Sequence, residues 1–356
     1  MNSNVWQFVL KPWRAATGLL AAASLMAVAF CNPATPSTQT RFEFSEPHMG
    51  TLFRIVLYAP AAGTAAQASR AAFDRVAALD DIMSDYRADS ELMRMCRQAG
   101  GPPVKVSGDL FRVLVAAQNI AGRSNGAFDA TVGPVVRLWR AARRSHHLPD
   151  PQRLAEAESH VGFQRIRLDP ETQTVQLLER GMLLDLGGIA KGYAADAALA
   201  VLRQGGINCA LVAGGGDIAV GDPPPGKEGW SIGIASLDSP SSAPQRFVLL
   251  HDAAISTSGD AEQHVEIAGV RYSHIVDPKT GQALTGRRSA TVIAPDCTTS
   301  DALATAVCVL GPHRGVALID SLPGTSMLMV IEGPSSIETY ESKFPAPARE
   351  PNYDAR

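Results

Sequence analysis

The chain has 356 residues, 46% of them apolar and 19% charged, with a formal net charge of −3. That balance belongs to a globular protein large enough for a sizeable core. The near-neutral charge, with no basic stripe recurring along the sequence, excludes nucleic acid as a partner.

Lys11 and Arg14 precede a charge-free run from Ala15 to Phe30, which has the pattern of a secretory signal and is shorter than a comfortable membrane span. The mature protein is therefore expected outside the cytoplasm, in the periplasm. Ala27-Val28-Ala29 fits a peptidase that cuts after small residues, whereas Val28-Ala29-Phe30-Cys31 resembles a lipoprotein box with Phe30 as its departure. Lipid anchoring through Cys31 and cleavage after Ala29 both stay open. The expected organisation is a signal peptide over 1–30, a polar tether over 31–41, a main domain over 42–343 and a flexible tail over 344–356. None of the five cysteines lies in a CxxC or zinc-type spacing, so no thiolate metal site is expected, and Cys209 and Cys308 in apolar runs suit small buried residues.

Thr51 to Ala59 predicts a strand and Thr64 to Met83 an amphipathic helix. Helices are expected over Leu110–Arg123 and Val135–Arg144, then a basic surface loop over Arg140–Pro151 and a hairpin pairing Arg165–Asp169 with Thr174–Leu178. The apolar run Met182–Leu186 reads as a strand entering an alanine-rich helix through Gly187-Gly188, a turn where unpaired N–H groups can meet an anion. A strand at Cys209–Val212 follows, and Gly214-Gly-Gly-Asp217 reads as a turn between strands rather than a dinucleotide fingerprint, because Ile218-Ala-Val220 continues as a strand. Further short strands are expected at Trp230–Ala235, Phe247–Leu250, Ala253–Ser256 and Ala290–Ala294, with a helix over Ser300–Leu310. Strands in runs, without strict βα alternation, predict an α+β fold.

Asp301 and Thr305 stand four apart, so on a helix their oxygens share one face and suit a hard cation such as Mg²⁺; the plainer reading is a helix cap at Ser300 or Asp301. His274, in a strand that ends at the Pro278–Gly281 turn, has the chemistry of a general base near neutral pH, or of an ordinary strand-end histidine. Ala127-Phe128-Asp129 and Tyr86 offer aromatic faces and a polar edge to a planar ring, or a core phenylalanine, a turn aspartate and a surface tyrosine. No Gly-x-Ser-x-Gly elbow and no Walker-type loop is present.

Taken in order, His48-Met-Gly-Thr51, Ser84-Asp-Tyr-Arg87, Gly126-Ala-Phe-Asp-Ala-Thr-Val-Gly-Pro134, Asp185 to Asp196, Gly215-Gly-Asp217, Ser256-Thr-Ser-Gly259, Ser273-His-Ile-Val-Asp-Pro278 and Ser300-Asp-Ala-Leu-Ala-Thr305 resemble the ApbE family of FAD:protein FMN transferases. The resemblance implies a fold of mixed, largely antiparallel sheets with packed helices and an FAD and Mg²⁺ site between two subdomains. It also implies a periplasmic enzyme that splits FAD, joins FMN by a phosphoester to a serine or threonine of a target protein, and releases AMP. Met49, Tyr86, Ala127, Phe128, Asp129, Lys191 and Ile275 match its FAD contacts. Asp301, Thr305 and the main-chain oxygen of Ala190 match its Mg²⁺ ligands, and His274 its base. Its targets carry an Asp-x-x-Ser/Thr-Gly-Ala-Ser/Thr motif, typically in membrane-bound respiratory electron-transport subunits. Some members have a glutamate in place of Lys191, and some a second aspartate in place of Ala304. Relatives that hydrolyse FAD to FMN and AMP share the scaffold, so a pyrophosphatase and a non-catalytic periplasmic flavin-binding protein are the alternatives; Tyr86 matches the transferase-type members.

Overall fold

The computed structural model describes residues 39–235, 237, 244, 246–261, 263–333 and 335–348. The expected signal peptide, the cleavage site and Cys31 lie outside the described residues. In chain order the elements are β1 (Thr40–His48), β2 (Thr51–Ala59), α1 (Ala62–Met83), α2 (Glu91–Cys96), β3 (Val104–Lys105), α3 (Gly108–Arg123), α4 (Gly133–Ser145), α5 (Pro151–Ser159), β4 (Ile166–Asp169), β5 (Thr174–Leu177), α6 (Ala190–Gln204), β6 (Ala210–Gly214) and β7 (Asp217–Val220). They continue as β8 (Trp230–Ile234), β9 (Arg246–Leu250), β10 (Ala253–Gly259), β11 (His264–Ile267), β12 (Val270–Val276), β13 (Ala283–Thr285), β14 (Arg288–Ala294), α7 (Cys297–Leu310), α8 (Pro312–Asp320), β15 (Ser326–Glu332) and β16 (Ile337–Ser342). The fold is α+β, as its sequence pattern predicts.

An eight-stranded sheet in the order β1-β2-β6-β7-β10-β14-β15-β16 is antiparallel throughout. Period-two alternation gives it two apolar faces. Phe53, Ile55, Leu57, Ala254, Ala290, Val292, Met327 and Met329 point into a core shared with α1, α3, α6 and α7. Their neighbours Val56, Ile255, Ile293 and Leu328 point the other way, under Trp230, Ile232, Val248 and Leu250 of the β8–β9 hairpin. Cys96, Cys209, Cys297 and Cys308 are free thiols buried as small apolar residues.

α6 enters this core on a face of small residues. Gly192, Ala194, Ala195 and Ala198 are buried, and a Cβ on Gly192 would stand 2.1 Å from the carbonyl oxygen of Cys297 at the start of α7. Asp196 fixes the same junction by accepting hydrogen bonds from the Cys297 and Thr298 N–H groups, both at 2.8 Å. Gly192→Ala should therefore push α6 from α7 and destabilise the protein by about 1–3 kcal/mol or more, read as a lower urea midpoint; an unchanged midpoint would mean the two helices do not need this approach. At the far end of α6's first turn, Tyr193 donates to Asp109 at 2.8 Å. Burial opposes ionisation of Asp109, but hydrogen bonds from Arg75, Tyr193 and Arg112 outweigh it and hold the carboxyl down at about 2, tying α1 and α6 to the start of α3.

Four expectations need correction. β1 begins at Thr40, so Thr40 and Arg41 pair with Ala59 and Tyr58 instead of ending a tether. The described part of the tail is docked: the Arg246 guanidinium lies 4.9 Å from the Phe344 ring centre, and the Ala348 N–H donates to the Phe247 carbonyl at 2.7 Å. α4 runs on to Ser145 with Trp139 and Ala142 buried, so the first residues of the expected basic loop are helical. Met182–Leu186 is not a strand; it makes one parallel bridge, Leu183 with Val132. By their contacts the described residues belong to one compact unit.

Candidate active site

The start of α6 faces α7. The Gly187-Gly188 turn is expected to offer N–H groups to an anion; the Gly187 N–H donates to Asp185 Oδ1 at 2.7 Å, and in the first turn of α6 the Gly192 N–H donates to Asp301 Oδ2 at 3.0 Å. α7 begins a turn earlier than its sequence suggests, capped by Asp296, which accepts from the Thr299 N–H at 2.7 Å. Asp301 is thus not a cap. It lies inside the helix, 2% exposed, with Thr305 one turn on along the same face.

Lys191 points inward, neither free in solvent nor left to pair only with a ligand. Its ammonium is 2.6 Å from Asp217 and 3.6 Å from Asp301, and their charges together raise its pKa against the opposing effect of burial. Burial and the nearby Asp217 charge raise Asp301 above the ordinary carboxylate range, with Lys191 and the Gly192 N–H pulling the other way. Asp217 is part of a recognised sequence block but carries no expected role; it enters because the β6–β7 register, Gly214 opposite Asp217, turns its side chain to this cluster.

Thr305 Oγ1 is 3.3 Å from Ser258 Oγ, and a Cβ on Gly188 would approach that Thr305 oxygen to 2.9 Å and the Phe128 ring to 3.4 Å. Ala190, the first residue of α6, is adjacent to Lys191. The donors are all oxygen, and two buried carboxyl groups share a single ammonium. That fits a hard divalent cation completed by water and phosphate oxygens. Among the described residues no group of three or more His, Cys, Asp or Glu could hold a metal ion.

His274 lies on β12 within a stretch where the pairing with β13 shifts register between Tyr272 and Val276, a device that re-aims side chains beside active sites. Its Nδ1 is 3.1 Å from the Gln263 carbonyl oxygen. A carbonyl only accepts, so in the neutral ring Nδ1 carries the proton and Nε2 keeps its lone pair. Burial, assisted by the Arg143 and Lys191 charges and resisted by Gln263 and Asp185, pushes the imidazole down to about 4. Gln263, which fixes the tautomer through its main chain, has no sequence signal that could have marked it.

The other expected contacts divide. Tyr86 is 75% exposed, with the Arg140 guanidinium 4.2 Å from its ring centre. Met49 occupies the two-residue β1–β2 turn at φ 49°, and its N–H donates to Asp80 at 3.2 Å. Ala127, Phe128 and Ile275 are buried, Phe128 and Ile275 in the main core. Both Asp129 oxygens are engaged: one accepts from the Thr131 N–H and hydroxyl at 2.8 and 2.6 Å, the other from the Phe163 N–H at 2.9 Å. Asp129 therefore shapes its turn through the same carboxylate expected to meet the ligand.

A model of the ApbE family matches residues 49–329. A Treponema pallidum protein named FAD:protein FMN transferase is 36% identical over 298 residues, covering 79% of this chain and 82% of its own length; a Vibrio cholerae protein of the same name is 32% identical over 330 residues, covering 91% and 96%. Among solved structures, the flavin transferase ApbE from Vibrio cholerae superposes with a TM-score of 0.77 at 30% identity, covering 86% of this chain and 98% of that one. The ApbE protein of Thermotoga maritima superposes with a TM-score of 0.75 at 30% identity, covering 85% and 97%.

Proposed function

The chain belongs to the ApbE family, and on that premise we propose that it is a Mg²⁺-dependent FAD:protein FMN transferase. It splits the pyrophosphate of FAD, links FMN through a phosphoester to a serine or threonine of a target protein, and releases AMP. The observation that carries this reading is His274, whose Nδ1 is bound to the Gln263 carbonyl so that the neutral ring keeps its lone pair on Nε2, together with the Lys191–Asp217–Asp301 cluster, whose two carboxyl groups are buried. An alcohol needs a base to become a nucleophile, and a pyrophosphate needs charge balance to break.

His274 Nε2 takes the proton of the target hydroxyl as its oxygen bonds to the FMN phosphorus; the P–O bond to AMP breaks, and AMP leaves with that electron pair. Asp301, Thr305 and the Ala190 carbonyl would hold Mg²⁺, and Asp217 would add negative charge beside them. When bound, Mg²⁺ neutralises charge growing on the phosphate oxygens. Lys191 keeps the two carboxylates together, and Tyr86 gives the isoalloxazine ring an open aromatic face.

The target is a protein carrying the Asp-x-x-Ser/Thr-Gly-Ala-Ser/Thr motif, of the kind found in membrane respiratory subunits. Incubated with FAD, Mg²⁺ and a fragment bearing that motif, the protein should release AMP only while fragment is present, and EDTA should stop the release. AMP formed equally fast without the fragment would identify a pyrophosphatase instead. The same reading places the enzyme in the periplasm, supported by Lys11, Arg14 and the charge-free run that follows; the mass of the mature N-terminus distinguishes lipid on Cys31 from cleavage after Ala29.

The pH dependence is specific. A base protonated only near pH 4 is competent throughout the range above it, so the acid limb of kcat/KM should lie nearer 4 than the 6.5 of an ordinary histidine. Arg143→Gln removes a positive charge that disfavours the imidazolium, raises the pKa, and should move that limb upward. A wild-type limb at 6.5, unmoved by Arg143→Gln, would contradict the environment described for His274.

A further inference from the structure

Arg140 belongs to none of the matched motifs, yet its guanidinium reaches two parts of the site. One nitrogen donates to Asp85, and another donates to Asp185 Oδ2 at 2.7 Å. The three side chains are mostly buried, at 14%, 10% and 9% exposure for Arg140, Asp85 and Asp185. Asp85 lies in the segment that leaves α1 and presents Tyr86. Asp185 accepts, through its other oxygen, the Gly187 N–H at 2.7 Å, and so shapes the turn that delivers Ala190 and Lys191. The guanidinium also backs the Tyr86 ring at 4.2 Å, leaving the opposite face open.

We propose that Arg140 is a positioning residue for the flavin, holding the Tyr86 ring from behind while its two-carboxylate clamp fixes that ring relative to the glycine turn at the mouth of α6. This rests on the FAD reading of the site. A planar fork suits this geometry, because it satisfies two carboxylates in one plane and presents a cationic face to an aromatic ring, which a lysine ammonium cannot do together. Two buried carboxylates around one cation also explain the dependence on it, because burial and the neighbouring Asp185 raise the Asp85 pKa while Arg140 opposes them.

The test is a double-mutant cycle on FAD affinity, followed by quenching of flavin fluorescence without turnover. Arg140→Gln should weaken FAD binding by about tenfold, and Arg140→Lys should restore only part of it. In a Tyr86→Ala background the Arg140 change should have almost no further effect, since its action passes through the ring. A companion, Arg140→Gln with Asp85→Asn, removes the cation and one carboxylate together, so that a stranded buried charge does not unfold the protein; it too should lose affinity. Folded variants that bind FAD like the wild type, or Arg140 and Tyr86 effects that add in full, would overturn the proposal. Wild-type protein that binds no FAD in the same assay would instead remove the functional reading beneath it.

Discussion

Replacing His274 with alanine should lower FMN transfer by about 10²–10⁴-fold, the usual contribution of a positioned general base, and leave FAD affinity close to that of the wild type. The division follows from the geometry. Nδ1 is occupied by the Gln263 carbonyl, so the ring's remaining chemistry is at Nε2, to which the proposed mechanism gives the proton of the incoming hydroxyl and no contact with the flavin. Single-turnover transfer to a motif-bearing fragment, measured beside flavin fluorescence titration, separates the two effects. A variant that transfers at the full rate would show that another group takes the proton; one that loses FAD binding as well would make His274 part of the binding surface.

Lys191→Met should be the most damaging change to stability. The methionine fills similar space, but Asp217 and Asp301, 3% and 2% exposed, would face each other with no cation between them. Removing one partner from a buried ion pair typically destabilises by about 3–5 kcal/mol, and Lys191 serves two carboxylates. Urea unfolding in EDTA should show the loss, and added Mg²⁺ should restore more stability to the variant than it gives the wild type. A variant as stable as wild type in EDTA would mean that the pair is neutralised in some other way.

Local features are the most legible in the sequence. The alternation in Thr51–Ala59 marks its strand because Phe53, Ile55 and Leu57 share one buried face, and the four-residue spacing of Asp301 and Thr305 marks their common helix face. What the sequence hides depends on contacts made at long range. Asp217 acquires its role from the β6–β7 register and from Lys191 of a different element. Arg140 reads as part of a solvated basic loop because its neighbours are Arg143, Arg144, His146 and His147; its carboxylate partners lie 55 and 45 residues away. Met182–Leu186 has the composition of a buried strand, but its N–H groups go to single acceptors, Leu184 to the Cys96 sulfur and Asp185 to the Ala130 carbonyl, so no ladder forms. The pattern records burial there and not the partner.

The intact mass of a motif-bearing acceptor fragment, taken after incubation with the protein, FAD and Mg²⁺, tests the central claim most directly. The account predicts an increase by one FMN residue, located on the serine or threonine of the motif, with one AMP released per modified fragment and no increase when His274 is alanine. An unmodified fragment alongside free FMN and AMP, or alongside intact FAD, would contradict it.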